Sequence, residues 1–141
     1  MNYKFKRCLE ERKLEKIKLD KDMIDKEIDG ADYDLERAKE SFRNNDYKWA
    51  TVKAYYSIFH SIKALVFKKG YREKSHYCLL IGFKTLYVDE KIIEKKFLDY
   101  FSEAMDLREA ADYNLTFSEE SAEEILSYAE ESLEKARQLL Q

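Results

Sequence analysis

Along this 141-residue chain, apolar residues return at the three- and four-residue steps that align side chains on one face of a helix. The first long stripe is Ile24, Ile28, Ala31, Leu35, Ala38 and Phe42. Gly30 interrupts it without shifting its register, so one helix is expected to run through the glycine at a propensity cost of about 1 kcal/mol. Asp20 or Asp22 can cap its start, and Asn44-Asn45 marks its end. A second stripe, Trp49, Tyr55, Ile58, Phe59, Ile62, Leu65 and Val66, begins behind a capping Asp46 and stops at Gly70. Tyr56, Ala64 and Phe67 add apolar surface on another face. A helix apolar on two sides is expected to lie centrally and also to be buried against a second subunit.

Ser75 can cap a shorter helix carrying Leu79, Leu80, Phe83, Leu86 and Tyr87, in which Gly82 would permit close approach of a neighbour and Val88-Asp89 reads as the end. Ile93, Phe97, Phe101, Ala104 and Ala111 define another helix, with Arg108 occupying a step of the same stripe. The last helix begins near Ser118 and packs through Ala122, Ile125, Ala129, Leu133, Ala136 and Leu140; Thr116 with Glu119 offers an alternative capping box. Near the N-terminus, Phe5 to about Lys13 reads as a short helix and Leu14 to Leu19 as a connector without clean periodicity. Short connectors favour antiparallel neighbours, so the expected fold is all-α, an up-and-down bundle of about five helices preceded by a short N-terminal helix. Residues 1–20 are expected to belong to the same domain as the bundle at 21–141.

Composition agrees with that pattern. The chain has no proline, 3 glycines and 39% charged residues, which suits solvated helix faces and argues against turn-rich sandwiches or barrels. The charged start, Met1 to Arg7, does not read as a secretory signal, and no apolar run approaches a membrane span. A cytoplasmic location without membrane association is therefore expected, with Cys8 and Cys78 as reduced thiols. Two cysteines alone cannot build a tetrahedral zinc site. A net charge of -3 removes the overall attraction of a strongly basic nucleic-acid binder. A local basic patch, Lys68, Lys69, Arg72 and Lys74, nevertheless gathers around Gly70, opposite in sign to the glutamate-rich last segment.

Few residues carry distinctive chemistry. No glycine-rich phosphate loop, zinc-protease helix or cysteine quartet is present. Glu73-Lys74-Ser75-His76 matches one carboxylate-x-x-His element of a di-iron bundle, but that chemistry requires two, so no metal or other cofactor is expected. Arg108 is the most informative position, because a permanently charged guanidinium on a core-facing step requires a counter-charge, backbone acceptors, a ligand anion or an interface. Asp112, one turn later, can supply an i, i+4 pair. Alternatively Arg108 faces a cleft and binds phosphate, with Tyr113 and Asn114 within a ligand's reach at the helix end. His76 follows the basic turn and can serve acid-base chemistry near neutrality. Arg108 and His76 are thus the candidate catalytic residues, and Arg108, Asp112, Tyr113, Arg72, Lys74 and His76 the candidate ligand-binding set. His60 reads as structural, and Tyr55-Tyr56 as core aromatics.

Four segments together resemble a known family: Asp46-Tyr47-Lys48-Trp49-Ala50, Ala54 to His60, Lys69 to Leu79, and Leu107-Arg108-Glu109-Ala110-Ala111-Asp112-Tyr113 look like the HEPN domain. The resemblance implies a helical bundle that commonly forms homodimers, frequent pairing with a minimal nucleotidyltransferase protein, and nucleotide or RNA binding in toxin-antitoxin or defence systems. Many such proteins are metal-independent ribonucleases carrying an Arg followed, after four to six residues, by His. Arg108 matches that arginine, but Tyr113, Asn114 and Leu115 occupy the positions where the histidine would fall. Arginine alone can stabilise a charged phosphate without activating a ribose hydroxyl, and Tyr113 is a poor base near neutrality. The expected function is therefore a phosphate-binding HEPN-like module, with a ribonuclease toxin as the alternative.

Overall fold

The computed structural model describes residues 2–141. Its elements are α1 (Tyr3–Glu10), β1 (Leu14–Lys16), α2 (Lys21–Arg43), α3 (Tyr47–Lys68), β2 (Tyr71–Glu73), α4 (His76–Phe83), α5 (Lys95–Tyr113) and α6 (Glu119–Leu140), with a wide π-type turn at Lys84–Val88 after α4. The predicted all-α bundle is what forms. Side chains cap the helices where the sequence offers acceptors to unpaired first-turn amides. Asp20 accepts from the Asp22 N–H at 2.9 Å, Asp46 from Trp49 at 3.3 Å and Ser75 from Cys78 at 3.0 Å. At α6 the reciprocal box joins Ser118 and Ser121, so the Thr116–Glu119 alternative is not used.

Helix α3 is the axis of the bundle, packed by α2, α5 and α6. Between Ala50 and Phe67 only Lys53, Tyr56, His60 and Lys63 escape full burial. Their three- and four-residue spacing leaves α3 one narrow open stripe. The second apolar face, offered by the sequence to another subunit, is covered from within: Ala64 and Phe67 join Ile24 in a cluster flanked by Ile17, Met23, Ile28 and Leu140. Along the open stripe, His60 Nδ1 stands 2.5 Å from Glu27 and its Nε2 3.5 Å from Asp34, while Lys63 lies 3.6 Å from Glu27 and 3.4 Å from Glu73. Both nitrogens of His60 thus face carboxylates of α2, in keeping with its structural reading.

The N-terminal segment departs from expectation. The supposed connector from Leu14 to Leu19 contains β1, which pairs antiparallel with β2 in the register Leu14↔Glu73, Glu15↔Arg72 and Lys16↔Tyr71. Three residues are too few for strand alternation to register in sequence. Gly70, at φ +84°, supplies the left-handed turn that takes α3 into β2, and its carbonyl accepts from the Ile17 N–H at 2.9 Å.

This ribbon brings α1 beside α4, and there the expectation of free thiols is overturned: Cys8 and Cys78, buried and with Cα atoms 5.8 Å apart, form a disulfide. A separation of 70 residues hid their proximity. In the chain-entropy view, a bridge closing a loop of that size stabilises the fold by about 4 kcal/mol. A Cys8→Ala/Cys78→Ala double variant is therefore expected to melt well below the wild type, and the wild type to lose stability when reductant is added. Thermal melts in both conditions check this, and equal melting temperatures would refute it.

Among the described residues, no helix is long and apolar enough to cross a membrane.

Candidate functional site

The apolar stripe of α5 turns toward α3 through Phe97, Phe101, Ala104 and Ala111, all buried. Arg108 lies on that stripe and is carried in against the adjacent tyrosines of α3. Its Nη2 donates to the Tyr56 hydroxyl at 3.0 Å. The guanidinium carbon stands 5.5 Å from the ring centres of both Tyr55 and Tyr56, and 5.3 Å from that of Tyr113. Aromatic faces attract a cation at such distances.

The counter-charge is weakly engaged. Asp112 Oδ2 is 3.7 Å from Nη2, beyond ordinary hydrogen-bond length, although the arginine side chain is only 16% exposed. Arg108 Nε is sealed from solvent and has no partner among the described residues. A buried N–H without an acceptor costs roughly 1–3 kcal/mol. The i, i+4 pair therefore exists as a loose contact that leaves donors of the guanidinium unused.

His76, the first residue of α4, reaches the same place from the other side. Its Nδ1 is 2.6 Å from the Tyr55 hydroxyl. Its ring packs on Phe59 at 4.5 Å and meets the edge of Tyr56 at 6.4 Å between centres. The Ser75 cap fixes where α4 begins, and hence where this side chain leaves the backbone. Two consecutive tyrosines thus join residues far apart in sequence: Tyr55 engages His76 and Tyr56 engages Arg108. Tyr55 is itself buried, with Phe101 stacked 6.2 Å away. The core reading of Tyr55 holds, but it omitted the work of the two hydroxyls. The sequence signal for that work was the presence of two adjacent hydroxyl-bearing rings on a helix whose other core-facing aromatics include Phe59 and Phe67.

Burial, followed by the positive charges of Arg108 and Lys63, lowers the His76 pKa below its ordinary 6.5. Since the folded value lies below the unfolded one, the folded state resists protonation. Stability associated with neutral His76 is present above the unfolded value and is lost as pH falls through it toward the folded value. An NMR titration of the His76 ring is expected to show a midpoint below 6.5; a midpoint at or above that value would contradict this environment. Burial also pushes the Tyr55 phenol far above its usual range, so it remains protonated.

The remaining sequence candidates divide. Asp112 and Tyr113 flank Arg108 as anticipated, with Tyr113 69% exposed. Lys74 instead reaches Glu15 across the ribbon at 3.2 Å, and Arg72 is exposed opposite the same glutamate. Among the described residues, neither makes a hydrogen bond or ion pair with the Arg108 cluster. The basic residues around Gly70 are thus partly answered by their own acids. A cavity of about 820 Å³ lies elsewhere again, lined by residues including Ile24, Ile28, Lys68, Arg137 and Leu140; none of the cluster lines it. Among the described residues, no group of His, Cys, Asp or Glu is assembled that could hold a metal ion.

A helical bundle in which arginine, tyrosines and histidine converge from its central and flanking helices fits the class suggested by the four sequence segments. The HEPN domain model matches residues 25–139, and the chain belongs to the HEPN domain family. It is 35% identical over 114 residues to "Putative toxin MJ0605" of Methanocaldococcus jannaschii, a match spanning 80% of this chain and 85% of that protein. It is 29% identical over 115 residues to "Putative toxin MJ0142" of the same organism, covering 80% and 78% of the two chains. A "UPF0332 protein" of Thermotoga maritima is 25% identical over 109 residues, covering 76% and 83%.

Proposed function

We propose that this chain is a HEPN module that binds the phosphate of a nucleotide or RNA at Arg108, as one half of a toxin-antitoxin-like pair with a minimal nucleotidyltransferase protein. The observation that carries the reading is the state of Arg108: largely buried, braced by Tyr56 and three aromatic rings, yet with a sealed, unpartnered Nε and a carboxylate no nearer than 3.7 Å. A phosphate oxygen at the open edge of the guanidinium would take up its free N–H donors, and the planar fork suits it. Tyr113 at the open edge can cover a base or ribose, and His76 adds a ring nitrogen from the opposite side. The toxin names of the archaeal relatives agree with this context.

A second reading, a metal-independent ribonuclease toxin, is favoured by one particular observation. The histidine absent after Arg108 has a counterpart in His76, which shares the tyrosine pair with Arg108. Incubating purified protein with labelled RNA in the presence of a chelator separates the two. The binding reading expects retention of intact RNA, abolished in Arg108→Ala. Cleavage lost in both Arg108→Ala and His76→Ala would establish the nuclease instead. Neither binding nor cleavage by folded wild type would overturn both.

A homodimer is part of the proposal, though on different ground from the sequence argument, since the second face of α3 is internally covered. Tyr113, Leu115 and Phe117, in and beside the link between α5 and α6, are 69%, 69% and 45% exposed, and Leu115 adopts φ +52°, an unusual backbone state for a branched residue. Apolar side chains presented this way suit an interface. Light scattering is expected to give twice the monomer mass, and Leu115→Asp to reduce it. A wild-type monomer at high micromolar concentration would refute the dimer.

A further inference from the structure

The hydrogen count around Tyr55 determines the form of His76. The phenol is 1% exposed, and its one hydrogen-bond partner among the described residues is His76 Nδ1, at 2.6 Å. If Nδ1 carried the proton, it would donate to the phenol oxygen, and the Tyr55 O–H would remain buried with no acceptor. If Tyr55 donates to Nδ1, the buried phenol proton is paired. Leaving a buried hydroxyl hydrogen unpaired costs roughly 1–3 kcal/mol, enough to set the tautomer. The remaining proton of the neutral ring must then lie on Nε2, which has no partner among the described residues and is not sealed from solvent.

We infer that Tyr55 is a positioning residue that holds His76 as its Nε2–H tautomer, so that a neutral histidine offers a hydrogen-bond donor, rather than a basic lone pair, to the phosphate held by Arg108. This deepens the phosphate-binding reading on which it rests and assigns His76 a role different from that of a general base. Arg108 supplies the charge and His76 a directed neutral donor, an arrangement that binds an anion without placing two cations side by side. The charged groups facing the ring agree: Arg108 from α5 and Lys63 from α3 both disfavour the imidazolium, and burial acts in the same sense. Glu73 of β2 acts on Tyr55, where it opposes ionisation of the phenol. A nuclease working through this site would therefore need its base from another group.

Long-range 1H–15N spectra of the free protein at neutral pH read the tautomer directly, without any ligand. The expected result is a protonated Nε2 and an unprotonated, hydrogen-bonded Nδ1 for His76, shifting toward a mixture of tautomers in Tyr55→Phe and remaining as in wild type in Tyr56→Phe. A protonated Nδ1 in wild type, or an unchanged spectrum in Tyr55→Phe, overturns the inference. If Tyr55→Phe does not fold, labelling with 3-fluorotyrosine makes the phenol a stronger donor; the Nδ1 signal must respond, and an indifferent Nδ1 is equally fatal. Binding of 5′-AMP completes the test. His76→Gln, whose amide nitrogen can stand in for Nε2–H, should retain affinity, whereas His76→Ala should lose about tenfold, the scale of one hydrogen bond to a charged group. Equal losses in both variants would contradict the donor role. If 5′-AMP does not bind wild type, the phosphate reading and the donor role assigned to His76 fall together, while the spectra still judge the tautomer.

Discussion

Arg108→Lys is expected to bind 5′-AMP and short single-stranded RNA at least about tenfold more weakly than the wild type while melting within a few degrees of it, because lysine keeps the charge but loses the planar fork. The guanidinium has one firm internal bond, to Tyr56, and a loose contact with Asp112. Little internal structure therefore depends on its shape, whereas a phosphate would. Arg108→Ala should abolish binding. The opposite pattern would identify a structural ion pair: intact binding with a large fall in stability, since breaking a truly buried pair costs roughly 3–5 kcal/mol. Calorimetric titration beside thermal melts of both variants distinguishes these outcomes, and undiminished binding by folded Arg108→Ala would sink the site.

Phe101→Ala should lower stability by about 3–5 kcal/mol, the usual cost of removing a fully enclosed aromatic ring. Phe101 is 0% exposed and lies nearly parallel to Tyr55, 6.2 Å away. Its loss would leave a void directly beneath the residue that engages His76. Denaturant unfolding should therefore show a lower midpoint, accompanied by altered His76 resonances even in the fraction that remains folded. A loss below about 1 kcal/mol would mean that neighbouring side chains had filled the space, and that α5 does not brace the tyrosine pair as described.

Much of this architecture is written in short-range pattern. The stripes of α2, α5 and α6 and the caps at Asp20, Asp46 and Ser75 all depend on residues within a few positions of one another, so they can be read locally. What escaped depends on contacts between distant positions. The β1–β2 ribbon is too short for alternation, and Cys8 and Cys78 meet only because that ribbon folds α1 onto α4. The second face of α3 was correctly recognised as apolar, but its cover comes from α2, Ile17 and the end of α6, which no local period reveals.

The site follows the same division. Arg108 stood out because a charge interrupts an apolar stripe, and Asp112 and Tyr113 followed by helical spacing. His76 was visible as a candidate without its partner, since nothing in the sequence places α4 against the Arg108 end of α5. Arg72 and Lys74 stood out as charge near a turn, which carries no direction; in the strand register Arg72 lies opposite Glu15, and Lys74 reaches the same carboxylate. Tyr55 and Tyr56 were assigned to the core on spacing alone, and hydroxyl geometry is what spacing leaves out.

If Arg108 holds a phosphate, its side-chain Nε–H resonance senses the ligand. Titration of 5′-AMP or short RNA into 15N-labelled wild type should move the Arg108 Nε–H signal, with accompanying shifts at Tyr56, His76 and Tyr113 and little change at Arg72 or Lys74. A ligand that binds while leaving Arg108 Nε–H unmoved, with its shifts gathered instead on the basic ribbon around Gly70, would contradict the account.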